Sequence, residues 1–324
     1  MPAPSTSLAT LRPDLAASFM QFDLEMDRRG FISSQVLPVV EMMSSAGKFG
    51  LIPIEQLLQN RDVNRANGGG YSRGNYTFKD ASYATSEYGA EEEVDDREAT
   101  LYREYFQAEQ LAAMRAYDAV LRAQEIRAAA LVFNTTTWTG ASLTTAVGVP
   151  WSTAATCTPV DDVEAAVNKV YDNSGLWPNA LVINRKKFRQ LRNSAQIIAR
   201  IVASGAGSPA KPSEVTVAML AQVFDLPHII VAGSSKNTAA EGQAASLAQI
   251  WGNTNAMVCR VAETDDIKEP CIGRTFHWGE DGSEVGGMIE TYRDETVRAD
   301  ITRVRHDVQE QILYTQMGHL LTNV

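Results

Sequence analysis

Between Gly89 and Gly140 the chain contains neither glycine nor proline. Ala, Leu, Glu, Gln and Arg, all strong helix formers, fill the stretch from Asp95 to Asn134, and the spacing predicts one helix there. Leu101, Tyr105, Ala108 and Ala112 make one apolar stripe, and Phe106, Ala113 and Val120 another. Glu91, Glu92, Glu93, Asp95, Asp96 and Glu98 crowd what reads as the helix start, where the dipole favours negative charge. Unbroken, this helix spans about 58 Å. A spherical chain of 324 residues is only about 50 Å across. Such a helix fits a flat or elongated subunit better than a round one.

Just before it, two extended segments are expected between Leu51 and Phe78, around Asn67-Gly68-Gly69-Gly70. Tyr76 and Phe78 alternate with polar residues in the return strand. Alone, this hairpin has too few apolar residues to be stable in water. It is either a surface loop or a segment that lies across a neighbouring copy. Upstream, Leu15, Phe19, Phe22 and Leu24 are mixed with acidic residues ahead of "GFISSQVLPVVEMM". Residues 1–50 read as an extended arm whose apolar groups need something to lie against.

Beyond the linker "TTTWTGASLTTAVGVPWSTAATCTP" the pattern changes to alternating elements. Val160 to Asn173 reads as a helix with Val163, Ala166, Val167 and Val170 on one face. "ALVIN" (Ala180–Asn184) reads as a buried strand, "RKKFRQLRN" as a basic helix, "VTVAMLAQVFDL" as a helix and "HIIVAG" as a strand. Together they form an α/β module inserted at residues 158–252. After it, "AQIWGNTNAMVCRV", "PCIGRTFHW" and "ETVRADITRVRHDV" are strand-like, with Val297, Ala299 and Ile301 alternating with polar residues. The last should return to pack on the long helix, closing a discontinuous domain. The fold class is α+β.

Little in the sequence points to chemistry. With 44% hydrophobic and 21% charged residues the composition is that of a folded soluble protein. No window approaches the length of a membrane span, and the N-terminus lacks a signal-peptide layout. Cys157, Cys259 and Cys271 are spaced as free, packed thiols. The four histidines show no ligand spacing, so no metal is assigned. No nucleophile elbow or P-loop occurs, and Gly68-Gly69-Gly70 precedes a strand, which suits a turn rather than a phosphate cradle. The acidic run lacks the oxygen spacing of a calcium loop. Arg185, Lys186, Lys187, Arg189 and Arg192 read as a solvated face or an inter-subunit contact. The net charge of −10 argues against a surface built to bind phosphate backbones. It does not argue against a container for nucleic acid. No catalytic residue and no cofactor is assigned, and the chain is not read as an enzyme.

The order of arm, glycine-tipped hairpin, acidic entry, long helix, inserted module and returning strands resembles the major capsid proteins of tailed bacteriophages, whose fold is shared with encapsulins and the herpesvirus capsid floor. "FGLIPIEQLL", "SYATSEYGAEEEVDDRE", "LVINRKKFRQLRNSAQIIARI", "NTAAEGQAASLAQIWGN" and "TRVRHDV" are similar to segments of one branch of that family. The resemblance implies an N-terminal arm (1–50), an extended loop (51–90), a peripheral domain with a spine helix (91–157 and 253–324) and an axial domain (158–252). It implies a structural subunit forming hexamers and pentamers of an icosahedral virion shell, assembled in the host cytoplasm around double-stranded DNA without sequence-specific binding. A portal and decoration proteins are further partners that it allows. The short stretch ahead of the hairpin implies a separate scaffolding protein. Some relatives crosslink a hairpin lysine to a neighbour's asparagine; Lys79 is the one lysine between residues 51 and 90, but no partner is legible. Glu91, Glu92, Glu93, Asp95 and Asp96 are expected to face a neighbour's arginines, with Arg61, Arg65 and Arg73 as candidates. Tyr71, Tyr76 and Phe78 are expected to be covered by neighbours. Two alternatives stand beside this reading: an encapsulin-like shell around protein cargo, and a cytoplasmic oligomeric α/β enzyme.

Overall fold

The structure is a computed structural model describing residues 10–11, 30–51, 53, 59–60, 62–74, 79–102, 108–203, 214–240, 242–280 and 282–324. A short strand β1 (Thr10–Leu11) precedes helix α1 (Ser33–Val36), strand β2 (Val39–Met42) and two strands flanking the glycine-rich turn, β3 (Ala46–Leu51) and β4 (Lys79–Ala84). Strand β5 (Ser86–Asp95) leads into α2 (Asp96–Tyr102), and α3 (Ala108–Val132) follows. Next come β6 (Thr144–Ala146), α4 (Pro159–Ser174), β7 (Ala180–Asn184), α5 (Arg185–Leu191), α6 (Ala195–Ala203), α7 (Val217–Phe224) and β8 (His228–Ala232). A small pair, β9 (Ser235–Asn237) and β10 (Leu247–Gln249), is followed by β11 (Asn255–Cys259), β12 (Gly273–Trp278), β13 (Met288–Asp294), β14 (Ala299–Ile312) and β15 (Gly318–Thr322).

The first sheet is organised by β14, whose 14 residues serve three neighbours. One edge takes β13 along its first half and β12 along its second. The other edge takes β5, from Ala299↔Asp95 to Val308↔Ser86. β1 joins β13, and β2 pairs parallel with β12. Helix α3 packs on this sheet, with Ala113, Ala116, Tyr117 and Val120 meeting Ile289 and Val304. Half of its buried positions are alanines, which let the helix lie close to the strands. Arg127 fastens it further, donating twice to Glu310 of β14 at 2.9 and 3.1 Å while lying 3.7 Å over the Tyr88 ring of β5.

The second sheet runs β6-β15-β11-β7-β8, with β7 and β8 parallel and joined through α5, α6 and α7. All five residues of β7 are buried because each face meets a different core. Leu181 and Ile183 pack with Val163 and Val170 of α4 and with Leu220 and Phe224 of α7. Ala180 and Val182 pack with Ala128 and Val132 of α3, Trp251, and Ile32, Val36 and Leu37. The second core therefore joins the two sheets.

Helix α4, strand β7, helix α7 and strand β8 lie where their patterns predict. Local chemistry supports the helix starts: Asn184 accepts from the Lys186 N–H at 2.7 Å, and Thr216 caps α7 through the Met219 N–H. Other expectations need correction. The acidic run Glu91–Asp95 belongs to strand β5, and the helix begins only at Asp96. Helices α2 and α3 flank residues 103–107, which lie outside the described residues, so the predicted single helix is described as these two pieces. Residues 30–51 are part of the subunit's own cores and sheets rather than an arm laid aside, since Ile32, Val36 and Leu37 are fully buried. The module's sheet also draws on residues 144–146, 255–259 and 318–322, because a strand buried on both faces needs hydrogen-bonding neighbours on both edges. Val297 falls in the turn before β14 and is half exposed.

Candidate assembly surfaces

Strands β3 and β4 pair from Ala46↔Ala84 to Leu51↔Lys79, so the paired part of the hairpin flanks the predicted segment instead of filling it. No third strand joins this ribbon among the described residues, and a two-stranded ribbon is marginal alone. Aromatic packing anchors it. Tyr83 is 5% exposed and stacks on Phe276 of β12 with ring centroids 5.2 Å apart, and Phe49 lies 5.5 Å from the same ring. The Ala84 N–H donates to Gln309 Oε1 at 2.7 Å, and the Gln311 amide donates to the Ser82 carbonyl at 3.3 Å. The stem is thus fixed to β12 and β14.

Beyond the stem, residues 62–74 carry no strand and are almost wholly exposed, Val63 to 84% and Tyr71 to 76%. The turn closes with the Gly69 N–H donating to the Ala66 carbonyl at 2.9 Å, and Gly68 takes φ +80°, which glycine reaches without steric cost. Arg65 donates to the Gly69 carbonyl and its guanidinium lies 4.7 Å over the Tyr71 ring. Arg73 is exposed. Arg61, Tyr76 and Phe78 lie outside the described residues.

Strand alternation divides the acidic run between two faces. Glu91, opposite Arg303 in the ladder, accepts from it at 2.6 Å. Glu290 on β13 lies 3.2 Å from Arg305 and 3.8 Å from Arg303. Glu92 turns to the helix side and lies 3.4 Å from Arg115 of α3. Asp96, at the start of α2, accepts two bonds of 2.6 Å from Arg293, whose guanidinium holds its carboxyl below the usual range. Asp95 accepts from the Arg97 N–H at 2.7 Å. Glu93 is exposed and has no ion-pair partner among the described residues. Glu91, Glu92 and Asp96 therefore meet arginines of their own chain, and all but Asp96 lie in the strand rather than at a helix start. Arg293, Arg303 and Arg305 were legible as alternating cations in "TRVRHDV" and just upstream, but only once residues 86–95 are read as a strand.

One buried junction was not legible at all. Glu125 of α3 has no exposed surface, and its carboxyl accepts from the Ile32 N–H (2.9 Å), the Ser33 N–H (2.8 Å) and the Trp251 indole (2.6 Å). It joins the start of α1, the middle of α3 and the end of the inserted module. At the sheet end, Ser283 Oγ lies 3.5 Å from His277 Nε2, but it donates to the Trp278 carbonyl at 3.0 Å. That hydroxyl holds the β12–β13 turn and is not set up as a nucleophile. No group of three or more potential metal ligands occurs, and no helix is long and apolar enough to cross a membrane, among the described residues.

No protein-family model and no curated protein matches the sequence. Solved structures do match, over nearly the whole chain. A phage-related protein from Bordetella bronchiseptica RB50 aligns with a TM-score of 0.67 at 20% identity, covering 98% of each chain. A protein assigned to the capsid of a prophage of E. coli CFT073 aligns at 0.56 and 10% identity, covering 98% of this chain and 100% of its own. A virus-like particle from Pyrococcus furiosus aligns at 0.56 and 13% identity, covering 95% of this chain and 98% of its own. These likenesses show the fold, which this chain shares with solved phage-capsid and virus-like-particle structures.

Proposed function

We propose that this chain is the major capsid protein of a tailed phage, a structural subunit whose copies assemble as pentamers and hexamers into an icosahedral shell around double-stranded DNA. The observation that carries the reading is coverage: the structure assigned to a prophage capsid aligns with 98% of this chain and 100% of its own. A second support is the hairpin, whose stem is anchored while its tip exposes Val63 and Tyr71. In this reading residues 51–90 form the extended loop, the first sheet with α3 the peripheral domain, and the α4–β8 region the axial domain. Arg65, Tyr71 and Arg73, with Arg61, Tyr76 and Phe78, contact a neighbouring subunit. The chain performs no catalytic step, belongs to the virion, and works with a separate scaffold and a portal.

Likeness to the holo-SrpI encapsulin complex from Synechococcus elongatus, with a TM-score of 0.50 at 11% identity over 90% of this chain, favours a second reading, an encapsulin-like shell around protein cargo. Negative-stain microscopy of particles recovered from infected cells, with their contents analysed, separates the two. Closed particles holding nuclease-protected DNA are expected; a co-purifying enzyme inside favours the second reading. A chain that stays monomeric with scaffold present overturns both.

A further inference from the structure

We propose that Asn67 is a site of spontaneous covalent modification, its amide converting to aspartate and isoaspartate while the subunit is free in solution. Asn67-Gly68 is the one Asn-Gly pair in the sequence. The reaction is an intramolecular attack of the Gly68 backbone nitrogen on Cγ of Asn67. A Cβ on the following residue crowds that approach, and glycine has none. The Gly68 nitrogen gives up its proton as it bonds to Cγ. The bond from Cγ to the amide nitrogen breaks, and that nitrogen leaves with the proton as ammonia. One water then opens the resulting succinimide at either carbonyl, leaving aspartate or isoaspartate.

The folded chain leaves this path open at Asn67. Asn67 and Gly68 are exposed, and neither the Asn67 carboxamide nor the Gly68 N–H is hydrogen-bonded among the described residues. The turn is closed by the Gly69 N–H on the Ala66 carbonyl, with Arg65 on the Gly69 carbonyl as a second fastening. Nothing lies within 4 Å of the place a Gly68 Cβ would take. A turn without buried apolar contacts opens locally at little cost. Asn173 and Asn193 make the contrast, since each is followed by a small residue, serine. Ser174 lies inside α4, and the Ser194 N–H donates to the Leu191 carbonyl at 3.0 Å. Their carboxamides are held too, by the Ser142 carbonyl at 2.9 Å and the Arg189 carbonyl at 3.1 Å. Folding protects these two and leaves Asn67 unprotected.

The product alters the tip. Residues 62–74 set Arg65 and Arg73 against Asp62, a net charge of +1, and the new carboxylate cancels it. Isoaspartate also lengthens the backbone by a methylene, which disturbs the closure between Ala66 and Gly69. Under the shell reading, on which this consequence rests, subunits aged before assembly join the shell less well than fresh ones.

The test ages the full-length chain above neutral pH, folded and in urea, and follows each site by peptide mass spectrometry and isoaspartyl methyltransferase labelling. Asn67 should convert about as fast folded as unfolded, whereas Asn173 and Asn193 should convert only in urea. Asn67→Gln, whose longer side chain disfavours the ring closure, should lose the label. Conversion of Asn67 in urea alone overturns the proposal, because the turn then protects it. Particle yield is compared for fresh and aged chains. A drop on ageing that Asn67→Gln does not show is expected. Equal yields with Asn67 converted overturn the consequence for assembly, and a fresh chain that never forms particles overturns the shell reading beneath it.

Discussion

At the scale of single residues, Glu125 shows how a buried acid can hold distant segments together. Replacing it with Ala leaves the Ile32 and Ser33 N–H groups and the Trp251 indole without an acceptor inside the core. Each stranded donor costs about 1–3 kcal/mol, so the variant should lose about 3 kcal/mol or more in chemical denaturation. Gln, which keeps one acceptor oxygen, should lose less. Equal midpoints for Ala and the parent would mean that the junction contributes nothing. His306 makes a different prediction. It is wholly buried, its Nδ1 meets the Val285 carbonyl at 3.2 Å, and the Tyr88 ring stands edge-on to it. Burial holds its pKa below the ordinary 6.5, with Arg127 and His277 acting in the same direction and Glu310 against them. The unfolded chain therefore binds the proton more readily than the folded one. Stability from the neutral ring is present above about pH 6.5 and falls as pH drops through the folded pKa. His319, lowered by burial beside Lys169, acts alike. The thermal midpoint should be lower at pH 5 than at pH 7.5, and His306→Phe should shrink that difference; an unchanged difference would place the acid sensitivity elsewhere.

At the scale of elements, what could be read from the sequence was whatever local pattern decides. Helix α4 carries its Val163, Val167 and Val170 stripe, α5 and α7 carry their caps, and β7 is an unbroken apolar run, so each could be read where it stands. What could not be read depends on partners far along the chain. The run Glu91–Asp95 matches a helix start in composition, yet it is a strand because Arg303 and the stretch Ala299–Val308 of β14, some two hundred residues on, complete its ladder. Likewise nothing near Phe49 or Tyr83 announces that Phe276 will receive them. The same non-locality separates two variants of the hairpin. Removing residues 62–74 behind a short turn leaves the β3–β4 ladder and its aromatic anchor intact, so helical circular dichroism should persist while particle formation is lost. Phe276→Ala attacks the anchor itself and should cost about 3–5 kcal/mol of subunit stability. If the tip deletion assembles normally, the tip is only a surface loop.

At the scale of the whole molecule, the proposed container must enclose a polyanion without adhering to it. The chain carries a net charge of −10, and at physiological ionic strength screening confines each charge's influence to about 8 Å. The acidic residues run along the whole chain, and on the first sheet Asp96, Glu91 and Glu290 are met by Arg293, Arg303 and Arg305 in place. The exposed cations of α5, Arg185, Lys186 and Arg189, form a short basic run. Phosphate-backbone affinity grows with the number of phosphates neutralised, and each contact adds about 0.9 to the salt slope on duplex DNA. Three cations on one helix, against the surplus of acid elsewhere, give a shallow slope and weak binding. Purified subunits should therefore leave a duplex unshifted in a gel at about 0.15 M salt, where the screening length of about 8 Å applies. Assembled particles from infected cells should nevertheless carry DNA that nuclease cannot reach. Tight binding by free subunits, abolished by Arg185→Glu and Arg189→Glu, would instead make α5 a nucleic-acid contact and the shell an active binder of its contents.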